Sequence, residues 1–133
     1  MRVRQTHPAK HLAVLRLAAA VPLIGIGAQH ILGSAPMLPI LEGAQFPFAS
    51  FFAVLVPWLE IVAGAALVVG FFARPAALTA LVIMGAAVYA HAVHDWADEP
   101  IIVLPLAVAI CVAQVLWGGA GAFSIDLVAS DPN

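Results

Sequence analysis

The chain has 133 residues, 64% of them hydrophobic and only 9% charged, with a formal net charge of -2 and a mean hydropathy of +1.07. A soluble domain averages roughly 25% charged residues and needs them at its surface to stay dispersed, so a water-soluble fold is excluded and most of the chain is solvated by lipid. Five Lys and Arg residues do not make a phosphate-tracking surface, which excludes a nucleic-acid partner.

The chain opens on a short basic tail with Arg2, Arg4 and Lys10. A first span is predicted over 12–32, long enough for one crossing. Arg16 is its sole charge and lies one turn in, within snorkelling reach of the headgroups. Arg16 thus reads as an orientation marker; the alternative is an anchor for an anionic headgroup or a partner subunit. A basic start before an apolar run also describes a signal peptide. The run is long for one and no clean small-x-small site follows, so it is expected to be retained. Residues 33–47 carry Pro36, Pro39 and Pro47, which prevent a continuous helix. Their apolar content predicts a loop on the membrane surface or tucked between helices.

A second span is predicted over 48–72, with a kink at Pro57, which lacks a backbone donor. Arg74 and Pro75 turn the chain into a third span over 76–93, with Pro75 suited to the first helical position. His91, His94, Asp95, Asp98 and Glu99 then border an acidic loop. Pro100 opens a fourth span over 101–117, broken by Gly118-Gly119-Ala120-Gly121 before a short polar tail. Cys111 is the sole cysteine. It allows no intrachain disulfide or Cys-x-x-Cys pair and reads as a small core residue.

These elements predict an all-α fold, a four-transmembrane-helix bundle forming a single domain over 1–133. Four spans put both termini and the Arg74 turn on one side. All five basic residues fall there, counting Arg16 at its border, and the opposite loops carry only acids. Both termini are therefore expected to be cytoplasmic.

Glu60 lies inside the second span, and an intramembrane carboxylate is by default a functional-site hypothesis. His30 follows Arg16 by 14 residues and Glu60 precedes Arg74 by 14, which puts each about 21 Å above the cytoplasmic border. His91 follows Arg74 by 17 residues, or about 25 Å. Arg16 and His30 share a face with Ala19, Ala20, Leu23 and Gly27. His91 continues a face through Ala77, Ala80, Met84 and Ala87, and Ala63 and Gly64 flank Glu60. Small faces of this kind pack helix on helix. Glu60, His30, Gln29 and His91 are thus expected to converge inside the bundle near its outer mouth.

Blander readings stand beside this one. Glu60 could be a packing acid bonded to Gln29 or His30. His30 could be interfacial, and His91 could simply face water. His91 and His94 with Asp95 or Glu60 have metal-ligand chemistry, and His30 and His91 could face one haem. No attachment motif supports a haem, and neither group is expected. No nucleotide-binding glycine loop, nucleophile elbow or His-Glu-x-x-His occurs.

Several stretches together resemble the DoxX family of small four-helix bacterial membrane proteins, over about 12–126. They are Arg16 with Gly27-Ala28-Gln29-His30, Leu59-Glu60 with Ala63-Gly64 and Ala66-Leu67, and Phe71-Phe72-Ala73-Arg74-Pro75-Ala76-Ala77. The last is Gly119-Ala120-Gly121-Ala122-Phe123-Ser124-Ile125-Asp126, similar to the family's Gly-x-Gly-x-x-Ser-x-Asp ending. His30 stands where the family often has a basic residue.

The resemblance implies a multi-pass protein of the bacterial cytoplasmic membrane. It implies a quinone-facing or partner-anchoring role, at most as a subunit of a quinone-linked oxidoreductase such as a thiosulfate:quinone oxidoreductase. The implied ligand is a quinone, and the implied partners are a redox protein or a second copy of the chain. Two rivals remain. One is a non-catalytic anchor or assembly factor, sensitive to small-to-large changes at Gly27, Gly64 or Gly85. The other is transport of a small molecule or proton, which needs a dimer because four spans are few.

Overall fold

In lipid the backbone has no water to bond, so apolar runs of this length close their hydrogen bonds internally as helices. A computed structural model describes residues 9–93 and 102–130. It contains α1 (Lys10–Leu32), α2 (Leu38–Gly43), α3 (Ala49–Val69), α4 (Ala73–Val93), α5 (Val103–Gly118) and α6 (Ile125–Ser130), with no strand among the described residues. Three helices, α1, α3 and α4, are long and apolar enough to cross a membrane, and α5 is a shorter apolar helix of 16 residues. Arg2, Arg4, His94, Asp95, Asp98, Glu99 and Pro100 lie outside the described residues.

The boundaries differ from expectation where local chemistry adds to hydropathy. The proline-dense stretch is not wholly a loop: it holds α2, with Pro39 in its first turn, where a missing N–H costs nothing. Helix α4 begins at Ala73, so Pro75 is its third residue and not its first. That position is still in the turn whose N–H groups have no intrahelical acceptor. Pro22 and Pro57 lie inside α1 and α3, which run on through them. The polar tail folds into α6.

The four longer helices pack as a ring. Helices α1 and α4 each lie against both α3 and α5. Leu23, Leu67, Met84, Val112 and Val115 fill the centre, with Ala19, Ala20, Ala77 and Ala80 between them. Cys111 is half-buried at the edge of this core. Large apolar side chains such as Val14, Phe51, Val62 and Ile110 point outward, as lipid contact requires.

Helices α1 and α3 approach closely because glycines stand where their backbones meet. A Cβ on Gly27 would stand 2.8 Å from the Pro57 carbonyl oxygen and 3.1 Å from Glu60 Cβ. One on Gly64 would stand 2.6 Å from Ile24 Cγ1 and 3.2 Å from the Ala20 oxygen. Gly85 is different: it is exposed on α4 with nothing within 4 Å, so it packs against no helix of this chain.

Candidate functional site: a polar-headed cavity between the helices

Among the described residues two ionisable side chains are almost fully buried, Arg16 and Glu60, each 2% exposed. Their surroundings differ in kind.

Arg16 does not snorkel. Its guanidinium turns inward, Nη1 donating to the Ala120 carbonyl at 2.8 Å and Nη2 to the Phe123 carbonyl at 3.1 Å. These carbonyls lie in the turn between α5 and α6, where Gly119 and Gly121 have positive φ and no helix absorbs the acceptors. A planar guanidinium carries five donors in a fixed fork and can satisfy two carbonyls at once. That explains why the side chain faces protein and not headgroups. Gly70 (φ 67°) closes α3 beside it, and a Cβ there would strike the Arg16 guanidinium and Ser124.

Asp126 completes this end. Its carboxylate accepts the Phe72 and Ala73 N–H groups at 2.9 and 2.8 Å, capping the start of α4, and its own N–H donates to the Gly70 oxygen at 2.9 Å. A carboxylate at a helix N-terminus satisfies orphan donors and complements the dipole. Ser124 Oγ donates to the Gly121 oxygen and accepts the Leu127 N–H. Arg74 is half-buried nearby in sequence, and its Nε has no partner among the described residues. This end is a structural clasp joining the C-terminal segment to the α3–α4 turn.

The other residues singled out from the sequence gather elsewhere. Gln29, His30, Glu60 and His91 all line one cavity of about 780 Å³ between α1, α3 and α4, with α2 along one side. They are not at one height. Glu60 is nine residues above the end of α3 at Val69, and His91 is eighteen above the start of α4 at Ala73. At 1.5 Å per residue these are about 14 and 27 Å from the turn. Counting from Arg74 overestimated Glu60, because residues 70–72 form a turn and contribute no helical rise. Gly27 packs on the Pro57–Ile61 stretch, so His30 sits about one helical turn above Glu60. The polar groups are staggered along the bundle, with Glu60 nearer the α3–α4 turn and His91 farther from it.

The hydrogen bond from Glu60 to Gln29 or His30 that the alternative, packing reading requires is absent among the described residues. Glu60 Oε2 is buried with no partner among the described residues. His30 instead bonds through Nδ1 to the Ala35 carbonyl, which ties α1 to the segment leading into α2. His91 bonds through Nδ1 to the Ala87 carbonyl at 2.6 Å. The Gln29 side chain is exposed, while its backbone oxygen takes the Ser34 and Ala35 N–H groups that close α1. Among the described residues no group of three or more His, Cys, Asp or Glu side chains is close enough to hold a metal ion.

The sequence reading missed most of the remaining wall. Thr79 lines the cavity with its hydroxyl donating to the Pro75 oxygen. Phe46 and Phe52 supply aromatic surface, and Phe46 also stacks edge-on against Tyr89 at 6.0 Å. Leu78 and Val82 line the cavity and are also exposed on the outside of α4. The cavity therefore opens sideways between helices, toward the lipid.

An all-helical chain with several apolar crossings and a lipid-facing exterior is a multi-pass membrane protein. Residues 11–94 match the DoxX family model, and the chain belongs to the DoxX family. The match covers α1 to α4, with Arg16 and the α3–α4 turn, and stops before α5 and the C-terminal half of the clasp. No curated protein and no solved structure matches the chain.

Proposed function

We propose that the cavity receives the ring of a quinone-like molecule from the membrane, and that the protein serves a quinone-linked redox process, alone or as the membrane subunit of a larger oxidoreductase. One observation carries this reading: an apolar cavity between the helices has a buried carboxyl oxygen, Glu60 Oε2, with no partner among the described residues, and two histidines farther along it. A buried polar group without a partner is costly, and a polar ligand relieves that cost. Glu60 and His30 would hydrogen-bond the ring oxygens or relay their protons, with His91 and Gln29 at the outer end. The tail would leave past Leu78 and Val82 into the bilayer.

We place the protein in the bacterial cytoplasmic membrane with α5 as a fourth crossing and both termini inside. The distribution of Lys and Arg supports that orientation. The test is binding of a short-tailed benzoquinone and its hydroquinone to protein in lipid nanodiscs. Glu60→Gln with His30→Ala is expected to weaken binding of the hydroquinone at least tenfold, about the effect of two lost hydrogen bonds. Unchanged binding in the double variant removes these residues from the site.

A further inference from the structure

We infer that the cavity prefers the reduced, hydroxyl-bearing form of its ring ligand, a hydroquinone, over the oxidised dicarbonyl form. The inference rests on the reading above and adds a redox-state preference to it.

The argument is an inventory of protons. A backbone carbonyl only accepts hydrogen bonds. The bonds from His30 to Ala35 and from His91 to Ala87 therefore fix the proton of each ring on Nδ1. A neutral imidazole has one N–H, so in that form Nε2 is the acceptor in both, the tautomer being set by the bond the other nitrogen makes. Both rings line the cavity. The Thr79 hydroxyl proton is committed to Pro75, which leaves only lone pairs toward the cavity. Glu60 offers at least one lone-pair oxygen in either protonation state. Donors are scarce: the Gln29 amide sits on an exposed side chain, and the Glu60 carboxyl donates only when protonated.

Such a wall fits a ligand that brings its own donors. A quinone has two carbonyl acceptors and leaves the histidine lone pairs unmatched. A para-hydroquinone has a hydroxyl at each end of its ring, and the acceptors here are staggered along the bundle, Glu60 below and the histidines above. Phe46 and Phe52 suit the ring between them.

The test uses the full chain in nanodiscs under anaerobic conditions, with protein-free discs as the partition control. The probes are a decyl-substituted benzoquinone, its hydroquinone and the dimethyl ether of that hydroquinone. The hydroquinone is expected to bind about tenfold tighter than the quinone, as two additional hydrogen bonds imply. The ether, which has no donors, is expected to bind no tighter than the quinone. For a two-electron couple each tenfold preference raises the bound midpoint potential by about 30 mV. His30→Phe with His91→Phe is expected to bring the ratio of hydroquinone to quinone affinity down toward one. The ligand comparison needs no variant, so a misfolded double mutant does not blunt the test. Quinone binding as tight as hydroquinone overturns this inference and leaves the proposed function standing. Neither form binding above the empty discs overturns both.

Discussion

At the end of the bundle that holds the α3–α4 turn, Arg16 donates to Ala120 and Phe123 while Asp126 caps α4. Some three helical turns higher, Glu60 is as buried as Arg16 but has an oxygen with no partner among the described residues and a cavity beside it. Both are ionisable groups that hydropathy alone marks as anomalies. The difference is one of degree in hydrogen bonding: two guanidinium nitrogens of Arg16 meet protein acceptors while its Nε, like Glu60 Oε2, is buried with no partner among the described residues. A buried ion whose donors meet protein acceptors is part of the architecture. A buried acid left unmatched next to empty apolar space has the character of a binding site.

The sharpest way to break this contrast is to remove the group bonded to protein. Arg16→Ala takes the donor from the buried bond to the Ala120 carbonyl and the partly buried one to the Phe123 carbonyl, and the loss is expected to be about 3 kcal/mol. Denaturation in mild detergent should show it as a large drop in midpoint. Arg16→Lys keeps the charge but not the fork, and should recover less than half of the loss. Wild-type stability in the alanine variant would dissolve the clasp. The next largest effect belongs to the α1–α3 contact. Gly27→Val drives a side chain into the Pro57 carbonyl and Glu60 Cβ, and overpacking of this kind costs about 1–3 kcal/mol. The same variant should weaken ligand binding, because Glu60 is carried on the displaced turn.

Hydropathy made α1, α3 and α4 legible as helices long and apolar enough to cross a membrane, with α5 a shorter apolar helix, and spacing singled out Glu60, His30, Gln29 and His91, which line the cavity. Helix-forming apolar runs and intramembrane charges are local signals, readable without tertiary structure. What Arg16 does was not legible. Its acceptors are more than 100 residues away in sequence, and a backbone carbonyl has no side-chain signature. The relative heights of Glu60 and His91 were misjudged for a related reason: the α3–α4 turn consumes residues without rise, and its length depends on the cap at Gly70 and on Asp126. The resemblance of the Gly-x-Gly-x-x-Ser-x-Asp ending marked that segment, and the structure supplies its physical role. Gly85 shows the converse limit. A small residue in a span is no packing contact unless a neighbouring backbone stands opposite.

Smaller effects sharpen the comparison from both sides. Asp126→Asn keeps one acceptor for the Phe72 and Ala73 N–H groups and loses the charge, at an expected cost of about 1 kcal/mol. Gly85→Ala meets open space and should stabilise α4 by about 0.5 kcal/mol through helix propensity. A destabilised Gly85→Ala protein would reveal a contact outside this chain, of the kind an anchoring partner or second copy makes.

The smallest expected effect on stability is at Glu60, and it discriminates most. Glu60→Gln exchanges one unpartnered polar group for another of the same shape, so the desolvation already borne by the fold is nearly unchanged. The denaturation midpoint should move by no more than about 0.5 kcal/mol equivalent, a shift typical of sites without partners. Ligand binding should fall, because the amide donates through a group that in the wild-type protein accepts. If instead Glu60→Gln loses stability as Arg16→Ala does, Glu60 has a protein partner and belongs to the architecture. The two ends of the bundle would then be alike, and the cavity would lose its claim to be a site.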